Sequence, residues 1–340
     1  MLAPLTQDQI ESILSLYRLD PSTAWASQLP GGHGLHYDVQ VPGGHYVLRL
    51  LQQRSVDELV FEKDLLLHLT RRGFSVPRLL QNMAKGSFTP WTRRGRYVSV
   101  FRYPKGRVLG RFEIRPRHLR RIGAWLARFH GATSSFAHGP QRRSHPSLEA
   151  LLDRASRALE RRRLARRCEP LVMELRESWA RLPPLPSLPS GLLHGNLGLE
   201  SVRFAHQGRL GGVSDFESAN GGPWVRDLAR VVVEWCWCPE PRSEEGPAGS
   251  FRVDRLQAFL RSYAETRPLA REEWGALESE VRRVCLREAA ERLLAQDRRS
   301  RGPVYRDPRH YAARLRAPLD GLSPSSSCER TSSGLASKHR

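Results

Sequence analysis

Residues 192–227 decide how this chain is to be read. They run Leu192-Leu193-His194-Gly195-Asn196-Leu197-Gly198-Leu199-Glu200-Ser201-Val202-Arg203-Phe204, continue through Gly211-Gly212-Val213-Ser214-Asp215-Phe216-Glu217, and close on Gly222-Pro223-Trp224-Val225-Arg226-Asp227. The apolar lead into Asp215 is a strand that delivers a carboxylate to a turn, and Glu217 follows two residues on. Hard oxygen ligands reach a phosphate-bound metal in this way. An aspartate after a strand also serves as a plain turn or cap residue, so Asp215 by itself leaves both readings open.

On the N-terminal side of this stretch the patterning is first mixed and then helical. Thr6 can cap a helix carrying Ile10, Ile13, Leu14 and Tyr17 at helical spacing, stopped by Asp20-Pro21. Tyr37 to Val41, the turn Pro42-Gly43-Gly44 and the apolar run Tyr46 to Leu51 read as a β-hairpin. Ser55 to Arg72 turns helical, Val76-Pro77 ends that unit, and Tyr97 to Tyr103 returns to strand. Beyond Pro104-Lys105-Gly106 helices dominate: Arg117 to His130, an arginine-dense segment from Leu148 to Arg167, Val225 to Trp237, Phe251 to Ala264 and Glu272 to Ala295. Leu182 to Ser190 is a Pro-rich extended link. The sheet-bearing part is thus followed by a larger helical part, which does not suit a doubly wound sheet. The expected division is residues 1–103, residues 104–322 and a Ser-rich, apolar-poor tail, 323–340, expected to be disordered.

The net charge of +20 rests almost wholly on arginine, since only four lysines occur, Lys63, Lys85, Lys105 and Lys338. Such a surface attracts polyanions. An arginine bias spread along the whole chain has a simpler origin in composition, and the run Arg154 to Arg167 lacks any nucleic-acid module, so no nucleic-acid partner is expected. Five scattered cysteines without paired spacing suit reduced thiols in a cytoplasm. No apolar run reaches membrane-spanning length and no leader pattern opens the sequence, so a cytoplasmic protein without a membrane partner is expected.

In the aminoglycoside phosphotransferase and choline kinase-like superfamily, His-Gly-Asp-Leu with an Asn five positions after the Asp marks the catalytic loop. The chain resembles that superfamily, and the bacterial homoserine kinases within it most closely. His194-Gly195 is kept, Asn196 stands at the catalytic Asp, Ser201 stands at the metal-binding Asn, and the spacing to Asp215 fits. Tyr46-Val-Leu-Arg49-Leu, Gly73-Phe-Ser-Val-Pro77, Val98 to Tyr103 and Asp307 to Leu315 resemble further segments of the family.

The resemblance implies a bilobal protein-kinase-like α+β fold: a small N-terminal lobe with an antiparallel sheet and a larger, mainly helical C-terminal lobe. It implies ATP and magnesium between the lobes. Asp215, with Ser201 and Glu217, is expected on the metal, Asn196 and His194 in the catalytic loop, Arg49 on phosphate with Glu62 as its helix partner, and Gly32 and Gly34 in a loop over the phosphates. Arg49 as a surface residue on a strand edge is the equally weighted alternative. The acceptor is a small-molecule hydroxyl, homoserine or a similar amino alcohol or aminoglycoside-like compound. An Asn amide has no basic site for the hydroxyl proton, which costs about 10²–10⁴-fold in rate. The sequence therefore gives two functional readings, a small-molecule kinase of reduced activity and a pseudokinase that binds nucleotide without turnover. It gives no oligomeric state.

Overall fold

The computed structural model describes residues 4–322 apart from 23, 30–33, 43, 53, 92–95, 137–145, 162–165, 241–246 and 297–306. Helix α1 (Gln7–Leu16) opens on a capping box, in which the Thr6 hydroxyl accepts from the Gln9 amide and the Gln9 side chain accepts from Thr6 N–H. There follow β1 (Trp25–Leu29), β2 (Gly34–Val41), β3 (Gly44–Gln52), α2 (Val56–Arg71), the short β4 (Arg78–Leu79) and β5 (Thr89–Pro90), and β6 (Arg96–Arg102). They form one antiparallel sheet in the order β1-β2-β3-β6-β4, with β5 also on β6.

Alternation along these strands splits the side chains between two cores. On the outer face Tyr37, Val39, Leu48, Leu50, Val98 and Val100 pack under Ile10, Ile13 and Leu14 of α1. On the inner face Phe101 joins Phe61, Leu65, Leu66 and Leu69 of α2 in a core that continues into the rest of the chain. Arg49 lies opposite Ser99 in the β3–β6 register, on that inner face.

The second part contains α3 (Pro116–Thr133), α4 (Leu148–Glu160), α5 (Glu169–Ala180), the strand pairs β7 (Ser190–Leu193), β8 (Val202–Phe204), β9 (Leu210–Val213) and β10 (Asn220–Pro223), then α6 (Val225–Val231), the pair β11 (Trp237–Pro239) and β12 (Gly249–Phe251), α7 (Val253–Thr266), α8 (Arg271–Gln296) and α9 (Arg309–Arg316). Strand β7 pairs with β10 and β8 with β9, both antiparallel, so the residues between β7 and β8 and those between β9 and β10 become neighbouring loops.

Three differences from the sequence reading have physical causes. Strand β1 was not foreseen, and it pairs residue for residue with β2. The helix expected over Leu148 to Arg167 ends at Glu160. A separate helix α5 follows with Pro170 in its first turn, where a missing N–H costs nothing. The helix expected over Val225 to Trp237 is α-helical only to Val231, then widens into a π turn over Val232–Cys236 before β11. The π turn takes in Val232 and Val233 of the run Val231-Val232-Val233, and Trp235 within it and Trp237 just after it are buried. Residues 323–340 and Gly32 lie outside the described residues, while Gly34 opens β2.

Candidate active site

The loop after β7 is built around Asp227 near the start of α6. Its carboxylate accepts from the His194 amide at 2.7 Å, from the Gly195 amide at 3.0 Å and from His130 Nε2 at 3.2 Å. Burial pushes this carboxyl up, but the hydrogen bonds from His130 and the Gly195 amide work against it, and Asp227 sits below the usual carboxylate range. Gly195 is required, because its φ is +79° and a Cβ would meet the Ser218 carbonyl oxygen at 2.2 Å.

His194 is fully buried. Its Nε2 donates to the Ser214 carbonyl at 2.8 Å and its Nδ1 accepts from the Asn196 amide at 3.3 Å. Burial lowers its pKa, which keeps the ring neutral. His194, expected in the catalytic loop, is a brace within it. It ties the loop of Asn196 to the strand end before Asp215 and has no nitrogen left for a proton in transit. An aromatic shelf supports it from below: the His194 and Phe216 ring centroids lie 4.8 Å apart, and Trp125 stacks on Phe129 of α3 beneath them.

Asn196 is half-exposed. Its Oδ1 accepts from Arg230 Nη2 at 2.7 Å, and Arg230 also donates to Glu288. Ser201 is buried, its hydroxyl donating to the Gly198 carbonyl at 2.8 Å, while its own carbonyl accepts from the Ser214 amide at 2.7 Å. Ser201, expected on the metal, spends its hydrogen on closing the loop and keeps its oxygen lone pairs.

Asp215 takes a left-handed backbone, φ +68° and ψ +37°, which aspartate tolerates. Burial, the nearby Glu217 and more weakly Glu200 push its carboxyl up to about 7, against the pull of Arg49. Glu217, expected beside Asp215 on the metal, is instead held by Arg49 Nη2 at 2.6 Å and faces Arg54 at 3.6 Å. Among the described residues no group of three or more His, Cys, Asp or Glu side chains gathers to hold a metal. The Asp215 carboxylate takes a hydrogen bond from the Ser214 side chain and feels the charge of Arg49.

Arg49 is not a surface residue. It is 5 % exposed, donates to Glu62 at 2.8 Å and 3.4 Å, and lies 4.8 Å over the Phe101 ring. Burial opposes its charge, but the two carboxylates hold it protonated more firmly than usual. Its Nε and the Ser99 hydroxyl beside it are buried without a hydrogen-bond partner. Both groups belong to the inner face of the sheet, across from the Asp215 turn. The two parts of the chain are thus linked through Arg49, Glu217 and Arg54, whose Nη2 donates to the Glu217 carbonyl at 3.0 Å. The loop Gly73 to Val76 completes the joint: Val213 N–H donates to the Ser75 carbonyl at 3.0 Å and the Ser75 hydroxyl donates to the Gly211 carbonyl.

A model of the phosphotransferase enzyme family matches residues 25–269. The chain belongs to that family. Its homologues include homoserine kinases of Sinorhizobium fredii (strain NBRC 101917 / NGR234), 28% identical with 92% of each chain covered, and of Pseudomonas aeruginosa (strain LESB58), 28% identical over 93% of this chain and 95% of the relative. Among solved structures, amicoumacin kinase hAmiN in complex with AMP-PNP, Ca2+ and Ami superposes with a TM-score of 0.65 at 16% identity over 91% of this chain and 90% of that one. Choline kinase LicA from Streptococcus pneumoniae superposes with a TM-score of 0.60 at 16% identity, over 93% and 98%. The fold of this family member is the bilobal protein-kinase-like one, with the antiparallel sheet in the smaller lobe. No helix among the described residues is long and apolar enough to cross a membrane.

Asp227 closes the segment that the sequence singles out, but Arg230, Arg54 and the His130–Tyr263 pair, in which His130 Nδ1 accepts from the Tyr263 hydroxyl at 2.8 Å, were not singled out from sequence. A histidine on the apolar face of α3 was the available signal for the last. No spacing rule pointed to Arg230.

Proposed function

We propose that this family member transfers the terminal phosphoryl group of ATP, with magnesium, to the hydroxyl of a small amino acid or amino alcohol, homoserine or a similar compound, at a reduced rate. The observation that carries the reading is the buried Arg49–Glu62 pair at 2.8 Å on the wall opposite Asp215. A cation buried this deeply needs a reason beyond stability, since ion pairs of this kind are often no better than apolar side chains of equal volume. The residues fit the implied nucleotide and metal. Arg49 Nε and Ser99 Oγ are buried donors without a partner on the inner face of the sheet. Crowding of carboxylates around Asp215 is what a divalent cation would relieve.

Asp215 would hold magnesium, which would supply charge neutralisation for the phosphates. The chain's own residues do the rest. Arg49 binds phosphate as a planar fork held in register by Glu62. His194, Gly195 and Asp227 fix the loop, and Asn196 orients the acceptor by hydrogen bonding without taking its proton. Positioning and charge stabilisation dominate this chemistry, so a loss of about 10²–10⁴-fold leaves measurable turnover.

A second reading, a pseudokinase that binds nucleotide as a sensor or scaffold, is favoured by Ser201 closing on Gly198 and by the capture of Asn196 by Arg230. Phosphate transfer from ATP to homoserine and related alcohols, measured for the native chain and for Asn196→Asp with Ser201→Asn, separates them. Slow native turnover that is raised in the double variant supports the kinase. Turnover in the variant alone supports the pseudokinase.

A further inference from the structure

The arginines of this chain are spread along its length, but its carboxylates are not. Residues 65–148 carry eighteen lysines and arginines and a single carboxylate, Glu113, whereas the rest of the chain carries 37 and 34. Seventeen of the twenty net positive charges thus come from about a quarter of the chain. A compositional bias toward arginine does not remove aspartate and glutamate.

Folding brings several of these cations around one space, on the outer side of the segment 102–106 that joins β6 to the helical part. Arg78 of β4 and Arg102 of β6 lie directly opposite each other in the antiparallel register, an arrangement of like charges that weakens a sheet. Arg102 lies 5.4 Å over the ring of Tyr46, which belongs to the outer core. Arg78 and Arg102, with Lys105 and with Arg203 of β8, line a cavity of about 820 Å³, a size usual for small-ligand sites. Arg203 is set in advance: its Nη1 donates to the Gly106 carbonyl at 3.2 Å, its guanidinium lies 5.2 Å over the Tyr103 ring, and its Nε is buried without a hydrogen-bond partner. Arg128 of α3, 5.2 Å over the ring of Phe74 on the cavity wall, adds a cation at the rim. No carboxylate lines this cavity among the described residues, and Asp38 nearby is bonded to His45.

We propose that this cavity binds a compact polyanion, a small molecule bearing a run of two or three phosphate groups, at a site separate from the Arg49–Asp215 crevice. Cations gathered around one space repel one another until an anion sits among them, and guanidinium forks match phosphate oxygens in charge-assisted hydrogen bonds. The concave wall suits a compact ligand better than an extended strand. The proposal does not depend on what the crevice binds.

The test is calorimetric titration of the full chain, without magnesium and at about 0.15 M salt, with inorganic tripolyphosphate, orthophosphate and a short thymidine oligonucleotide. Tripolyphosphate is expected to bind at one site at least ten-fold more tightly than orthophosphate. Arg78→Glu is expected to weaken it at least ten-fold and, by giving Arg102 an opposite charge, to raise the urea midpoint of the free chain, which separates lost binding from lost folding. Arg154→Glu, the same charge change on the exposed side of α4, and Arg49→Met, in the crevice, are expected to leave the affinity within about two-fold. Tripolyphosphate binding no more tightly than orthophosphate overturns the proposal, as does equal weakening by Arg78→Glu and Arg154→Glu. Binding lost in Arg49→Met and kept in Arg78→Glu would place the anion in the crevice and also overturn it. An oligonucleotide bound more tightly than tripolyphosphate would show an extended nucleic-acid surface in its place.

Discussion

At the scale of single residues, the proposed site turns on how its charges are paired. Arg49 keeps its charge and its Glu62 partner but gains a second carboxylate, Glu217. Removing Glu62 leaves a buried guanidinium with one partner where it had two, and Glu62→Ala is expected to cost about 1–3 kcal/mol in urea unfolding, less than a fully orphaned charge would. An Asp restored at position 196 would meet Arg230, and a carboxylate beside a guanidinium becomes a weaker base by about 1–3 pKa units. Asn196→Asp alone is therefore expected to gain less phosphoryl transfer than Asn196→Asp combined with Arg230→Leu, in the same assay with homoserine. Equal rates for the two would contradict the role given to Arg230. Asp215 makes stability depend on pH with a definite sign. Its folded value, about 7, lies above the ordinary 3.8, so the folded state binds the extra proton and stability falls as pH rises between those values. Asp215→Asn tolerates the same left-handed backbone and is expected to raise Tm at pH 8 by a few degrees, with the gain shrinking toward pH 4. A gain independent of pH would show that burial of this carboxyl is not its cause.

At the scale of elements, periodic helices were the most legible feature of the sequence. The apolar residues of α1, α2 and α3 that recur at helical spacing are the ones that became buried, because amphipathic spacing and capping are local rules. What could not be read were contacts made between elements far apart in the chain. Gly123 illustrates this. A Cβ there would meet the Phe259 carbonyl oxygen at 2.5 Å and the Tyr263 amide nitrogen at 3.0 Å, so the α3–α7 crossing depends on a residue that looks like a blemish in a helical pattern. Gly123→Ala, which raises helix propensity, is nevertheless expected to destabilise the protein by about 1–3 kcal/mol, because the obstacle is backbone and cannot step aside. Leu14→Ala in α1 is expected to cost about 2–5 kcal/mol, since Leu14 is fully buried over the outer face of the sheet. Urea midpoints measure both. The shortened α6 and the β11–β12 pair escaped the sequence reading for a related reason: a run of valines supports strand and helix alike, and the tertiary contacts of Trp235 and Trp237 decide.

At the scale of the whole molecule, the sheet-bearing and helical parts meet through specific bonds as well as a shared core: Arg49 and Arg54 on Glu217, Ser75 on Gly211 and Val213, and His68 on the Ala132 carbonyl. The segment 192–227 disclosed the family because its motif spacing survives substitution of the residues within it. Individual roles were less legible, since Ser201 keeps the expected position while its hydroxyl donates into the loop. The account stands or falls on whether the crevice between Arg49 and Asp215 takes a nucleoside triphosphate. Calorimetric titration with AMP-PNP and magnesium asks this directly. Saturable binding by the native chain, weakened at least ten-fold in Asp215→Asn and in Arg49→Met, is the predicted result, and the absence of saturable binding by the native chain would contradict it.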